Sequence, residues 1–108
     1  MDTINIDYLK KIVIKIGTVV KAEMVEKSEK LIKLTVSFGK EERIILSGIA
    51  KFYSPQSLVG RQMPFILNLE ERDIMGEKSQ GMLFAVDNNG DAVLLLPDKY
   101  VENGAPVI

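Results

Sequence analysis

The sequence predicts an all-β fold: a five-stranded Greek-key barrel with one short helix between the third and fourth strands and a carboxyl-terminal extension. Three observations carry that prediction. Apolar Ile32, Leu34, Val36 and Phe38 alternate with polar Lys33, Thr35 and Ser37, the period-two pattern of a half-buried strand. Glycine- and asparagine-bearing turns divide much of the remaining chain into further short apolar segments, as in small barrels and sandwiches. A helix start at Ser54-Pro55 falls between the third and fourth of these segments, with Ser as the cap and Pro at a first helical position.

Taken in order, Asp7 to Lys11 reads as one amphipathic turn with Tyr8, Leu9 and Ile12 available for burial. Ile12 to Val25 is rich in β-branched residues and is interrupted by Gly17, which predicts a long strand that bends at the glycine. After the strand at 32–38, Gly39-Lys40-Glu41-Glu42 turns the chain and Arg43 to Ser47 returns as its hairpin partner. Ile49 to Tyr53 is helix-like, the capped turn follows at Ser54, and Gly60 stops it. Gln62 to Leu69 is the next apolar strand, in which Pro64 favours an edge or a strand start because it cannot donate to a ladder. Glu70 to Gly81 reads as a polar loop. Met82 to Val86 and Ala92 to Leu96 flank an Asn89-Gly90 turn and predict a hairpin. The string matches a barrel of the oligonucleotide-binding (OB) type, although an SH3-like barrel or an open sandwich would give a similar one.

At 108 residues, 46% of them hydrophobic, the chain has length for one core, so residues 1–108 are read as a single domain. It contains no Cys and no His, which excludes disulfides, thiolate metal sites, cysteine nucleophiles and imidazole bases. No glycine-rich phosphate loop or nucleophile elbow is present, so the reading is a non-enzyme with no catalytic residues, metal or cofactor. The start, Met1-Asp2-Thr3-Ile4-Asn5, lacks the basic and then apolar character of a signal peptide. No apolar run approaches the roughly 20 residues of a membrane span. A cytoplasmic protein without membrane contact is expected. Residues 1–61 carry 11 Lys/Arg against 7 Asp/Glu, and residues 62–108 carry 3 against 8. Any basic face must therefore come mainly from the first half.

Three segments resemble the tRNA-binding domain found at the carboxyl end of many methionyl-tRNA synthetases, in free-standing dimeric tRNA-binding proteins and in cytokine-precursor proteins of synthetase complexes. The first is Ser28-Glu29-Lys30-Leu31. The second is Leu46-Ser47-Gly48-Ile49, followed by Lys51, Phe52, Tyr53 and Pro55. The third and most specific is Asn68-Leu69, Arg72, Gly76 and Ser79-Gln80-Gly81-Met82. Two departures stand out: Val13-Ile14-Lys15-Ile16-Gly17 lacks the acid that relatives carry there, and Glu70-Glu71 places negative charge ahead of Arg72. The resemblance implies tRNA as the partner, an accessory role beside an aminoacyl-tRNA synthetase, most closely methionyl, and a homodimer.

The residues fit that chemistry. RNA binding needs cations for phosphate, amides and hydroxyls for base edges, and flat or soft side chains for exposed bases. Arg72 offers a planar fork that also stacks, unless it is spent on an ion pair with Glu70, Glu71 or Asp73. Asn68 offers a donor and an acceptor, unless it stabilises a local turn. Ser79, Gln80 and Met82 lie on or beside a glycine-flanked loop, and Lys15, Lys30 and Lys33 are candidate phosphate contacts. Two other functions compete. One is a protein-binding module like the secretion chaperones that share this fold. The other is a small enzyme using Glu70, Glu71 and Asp73, which a charge-dense loop disfavours because catalytic carboxylates need burial. The unbroken apolar run Ala92-Val93-Leu94-Leu95-Leu96-Pro97 predicts a second face covered by a partner copy, or else by the tail from Tyr100 to Ile108.

Overall fold

A single helical turn, α1 (Ile6–Leu9), opens the computed structural model, which describes residues 1–108. Asn5 starts it by accepting a hydrogen bond from the Tyr8 N–H, the role expected of a short amide at a helix start. None of its residues is buried. The burial expected of Tyr8, Leu9 and Ile12 is therefore not found: all three are exposed, because α1 has no covering element.

The chain then forms β1 (Ile14–Met24), β2 (Ile32–Ser37) and β3 (Glu42–Ser47). The helix α2 (Pro55–Leu58) follows, with Ser54 capping the Ser57 N–H. Next come β4 (Gln62–Ile66), β5 (Arg72–Ile74), β6 (Glu77–Ser79), β7 (Met82–Leu83), β8 (Ala85–Asn88) and β9 (Asp91–Leu94). The main sheet is antiparallel, in the order β3-β2-β1-β4-β7. Its two ends approach each other, leaving a nearly closed OB-type barrel with the short helix between the third and fourth main-sheet strands, as the sequence predicts. Val19, Leu34, Val36, Ile45, Met63 and Phe65 lie at its centre, and each buried side chain of this size stabilises the fold by about 1.5–3 kcal/mol.

Gly17 lies within β1 opposite Met63, just before the point where β1 goes from pairing with β4 to pairing with β2. A register shift follows between Val19 and Lys21. Gly17 also provides room, since a Cβ there would lie 2.5 Å from Val36 Cγ1 and 2.6 Å from Phe38 Cε1. Pro64 is placed differently from the expected edge or strand start, in an inner strand opposite Ile16. The backbone of Ile16 turns the other way, its N–H donating to Ala105 and its carbonyl accepting from Gly104, so the missing proline donor breaks no bond of that pair. Ile49 to Tyr53 forms turns rather than helix.

Two further hairpins form separate two-stranded sheets beside the main one. Asn89 (φ 52°) and Gly90 (φ 96°) make the predicted turn of β8–β9. The segment read as a polar loop, 70–81, contains a second hairpin, β5–β6, whose turn is Met75-Gly76.

Candidate nucleic-acid interface

The β5–β6 hairpin lies against β3, and side chains make much of that seam. Ser79 Oγ accepts from the Leu46 N–H at 3.0 Å and donates to the Gly81 carbonyl. Gln80 accepts from the Ile44 N–H through Oε1 at 3.0 Å, while its own N–H donates to the Ile44 carbonyl at 2.8 Å. Arg43 completes the closure by donating to the carbonyls of Leu67 at 2.7 Å and Gln80 at 3.2 Å, with Glu41 beside its guanidinium. Gly81 is required here because a Cβ would meet the Ile66 carbonyl at 2.6 Å.

Against that frame, the candidate residues separate. Ser79 is 1% exposed and its hydroxyl is committed to the seam, as is the Gln80 side-chain carbonyl. Asn68 bridges the start of the barrel: Oδ1 accepts from the Val13 N–H at 2.8 Å and Nδ2 donates to the Lys11 carbonyl. That bond spans the chain rather than a local turn. Met82 is half-buried on β7, paired with Ile66.

Lys30 and Lys33 stand at the start of β2, and Lys33 forms an ion pair with Glu77 of the hairpin at 2.9 Å. Its hydrogen bond to the Glu77 carboxylate, and that carboxylate's charge, raise the lysine pKa above its ordinary value, so Lys33 stays cationic throughout the neutral range. Arg72 is exposed, at the base of the same hairpin, and no carboxylate lies within ion-pair distance of it. The local pairing with Glu70, Glu71 or Asp73 is absent. Lys15 does not join this group, because β1 pairs with β2 only from Thr18 onward. It lies instead in a separate depression with Phe38, Lys40 and Glu102.

Of the candidate cations, the structure thus ties Lys33 to the hairpin through Glu77 and places Arg72 on β5 of that hairpin, opposite Ser79. Sequence reasoning missed Lys27 and Met75, which line a recess at the hairpin tip with Val25, Glu26 and Glu77. It also missed Arg43, whose role depends on contacts 24 and 37 residues away. No group of three His, Cys, Asp or Glu residues could hold a metal ion, and no helix is long and apolar enough to cross a membrane.

Comparison with known proteins follows the same outline. Residues 14–106 match the family model described as "Putative tRNA binding domain". The chain is 49% identical over 104 residues to a methionine–tRNA ligase of Methanothrix thermoacetophila, covering 96% of this chain but 15% of that protein. A methionine–tRNA ligase of Methanocaldococcus jannaschii is 44% identical over 108 residues, and the chain spans 17% of its length. Among solved structures, the MetRS related protein from Pyrococcus horikoshii superposes with a TM-score of 0.96 at 38% identity, with both chains fully covered. The chaperone CsaA from Bacillus anthracis superposes at 0.90 with 29% identity, over 99% of this chain and 100% of that one. By the match over most of its length, this chain belongs to the tRNA-binding domain family.

Proposed function

We propose that this protein binds tRNA without catalysing a reaction and serves an aminoacyl-tRNA synthetase, most closely the methionyl enzyme, by supplying a second point of attachment. The family match from residue 14 to 106 carries this reading. The exposed Arg72, which forms no ion pair and sits on the hairpin that Lys33 engages through Glu77, supports it, because a phosphate backbone requires such charges. Ser79, Gln80 and Asn68 contribute by fixing the hairpin and the strand ends, and any RNA contact they make comes from atoms not already engaged. Met82 adds a soft apolar edge beside them, and Lys15 would meet RNA only where it extends to the neighbouring depression. A second attachment point raises occupancy through effective concentration and needs no active site.

The protein acts as a homodimer in the cytoplasm on this reading. Ile6, Leu9, Ile12 and Val107 are exposed apolar residues around one depression lined almost wholly by apolar side chains. Val93, Leu95 and Leu96 are exposed as well. A symmetric contact between two copies would cover such a face.

The likeness to the chaperone CsaA favours one other reading, a module that holds an extended polypeptide. Gel-shift titration of the purified protein with bulk tRNA, beside titration with an unfolded polypeptide, decides between them. Retention of tRNA and not of polypeptide is expected. The reverse result would overturn the RNA reading.

A further inference from the structure

Three residues other than glycine adopt a left-handed backbone: Lys27 (φ 67°), Met75 (φ 55°) and Asn89 (φ 52°). Asn89 sits where its residue type is favoured, in the two-residue turn it makes with Gly90. Met75 and Gly76 (φ 81°) build the same kind of turn at the tip of β5–β6, but a methionine has no short polar group to bond the backbone there. The conformation is disfavoured for a side chain that lacks such a group. Lys27 lies in the loop after β1. Both strained residues line one recess of about 270 Å³, together with Val25, Glu26 and Glu77. Met75 remains 57% exposed, so packing within the chain accounts for less than half of its surface.

We propose that this recess receives one unpaired nucleobase of the bound RNA, an inference that rests on the tRNA-binding reading above. Val25 supplies an apolar wall, and the Met75 thioether supplies a polarisable contact for the face of a base. Carboxylates of Glu26 and Glu77 can accept N–H donors from the base edge. Lys27 stands at the rim, where the adjoining phosphate would pass. The Lys33 ion pair fixes Glu77 at 2.9 Å and so holds the hairpin side of the recess against β2. Strain concentrated on both sides of a recess marks a shape set before the ligand arrives, which lowers the ordering entropy of binding.

The test uses Met75→Asn, which turns the β5–β6 tip into the favoured Asn-Gly turn, and Met75→Gly, which relieves the same strain. Thermal melting and affinity for bulk tRNA over a range of salt are measured on the full chain. Met75→Asn is expected to melt no lower than the parent yet to bind tRNA about five-fold or more weakly, the loss of one base contact. Its salt slope should be unchanged, since no cation is removed. Met75→Gly should weaken binding as well. Parental affinity in either variant would overturn the recess while leaving the tRNA reading intact. A lower melting temperature for Met75→Asn would make Met75 a packing residue and overturn the proposal too. A parent chain that retains no tRNA would overturn both readings.

Discussion

Gln80 engages both backbone polar groups of Ile44, donating its N–H to the Ile44 carbonyl at 2.8 Å and accepting the Ile44 N–H through its side chain at 3.0 Å. The side chain thereby does what a neighbouring strand would do. Gln80→Ala leaves the Ile44 N–H without its partner, a loss of about 1–3 kcal/mol if water does not replace it. Urea unfolding should show a lower midpoint with an unchanged m-value. An unchanged midpoint would mean that solvent already reaches the seam.

Gly17→Ala should be destabilising by about 1–3 kcal/mol, as expected for overpacking. The new methyl would meet Val36 and Phe38, and Phe38 is held edge-on against Phe65 with ring centroids 5.6 Å apart. A fall of several degrees in melting temperature is the expected reading. An unaltered value would show that the Phe38 ring can give way without loss.

Arg72→Ala should separate stability from binding. With no ion pair to lose, its unfolding free energy should stay within about 0.5 kcal/mol of the parent. Its tRNA affinity should fall by about 1–3 kcal/mol if the guanidinium makes a forked or stacked contact. Full affinity in the folded variant would remove Arg72 from the interface.

Binding to tRNA should depend on salt, but with a shallow slope. Acidic residues such as Glu23, Glu26 and Glu29 are interleaved with the lysines of the first half, and Lys33 is already paired. About three to five phosphate contacts, each contributing about −0.7 to −0.9, give a log–log slope of roughly −2 to −4. Filter binding across salt concentrations measures it, and a slope near zero would argue against a polyanionic ligand.

The dimer is tested by sedimentation of the parent beside an Ile6→Glu, Leu9→Glu double variant. Neither residue is buried in the single chain, so the variant should fold. The parent should sediment as a dimer and the variant as a monomer, because two carboxylates would be forced into an apolar contact. A monomeric parent would sink the dimer.

Features written in short stretches of residues were legible in the sequence. The alternation from Ile32 to Phe38, the Ser54 cap with Pro55 and the Asn89-Gly90 turn each need only neighbouring residues, and each forms as expected. The β5–β6 hairpin escaped notice because its strands have three residues each, are dense in charge, and meet at Met75-Gly76 rather than at a favoured pair. A glycine in a strand signals curvature or close approach, and the close approach of Val36 and Phe38 at Gly17 depends on residues about twenty positions away. In the candidate site, the family pattern singled out residues of the β5–β6 hairpin and its flanks but could not say which way their side chains point. Ser79 and Gln80 bond to β3 across more than thirty residues of sequence, and Lys15 precedes the stretch where β1 meets β2. Those facts belong to topology, which local pattern does not encode.

The last residues of the chain lie along the first half of β1: the Val107 N–H donates to Ile14, the Ile16 N–H donates to Ala105, and Lys15 faces Pro106 in an antiparallel bridge. Ile14 and Val107 are thus adjacent at the same edge of the barrel. Tension applied between the two ends would load these bonds one at a time, as a zipper is opened, rather than shearing them together. The tail would peel away at low force while the strands of the barrel stayed paired. Mechanically, the tail is the weak link of the domain, and a pull on its ends would be felt first by β1, not by the hairpin that carries Arg72.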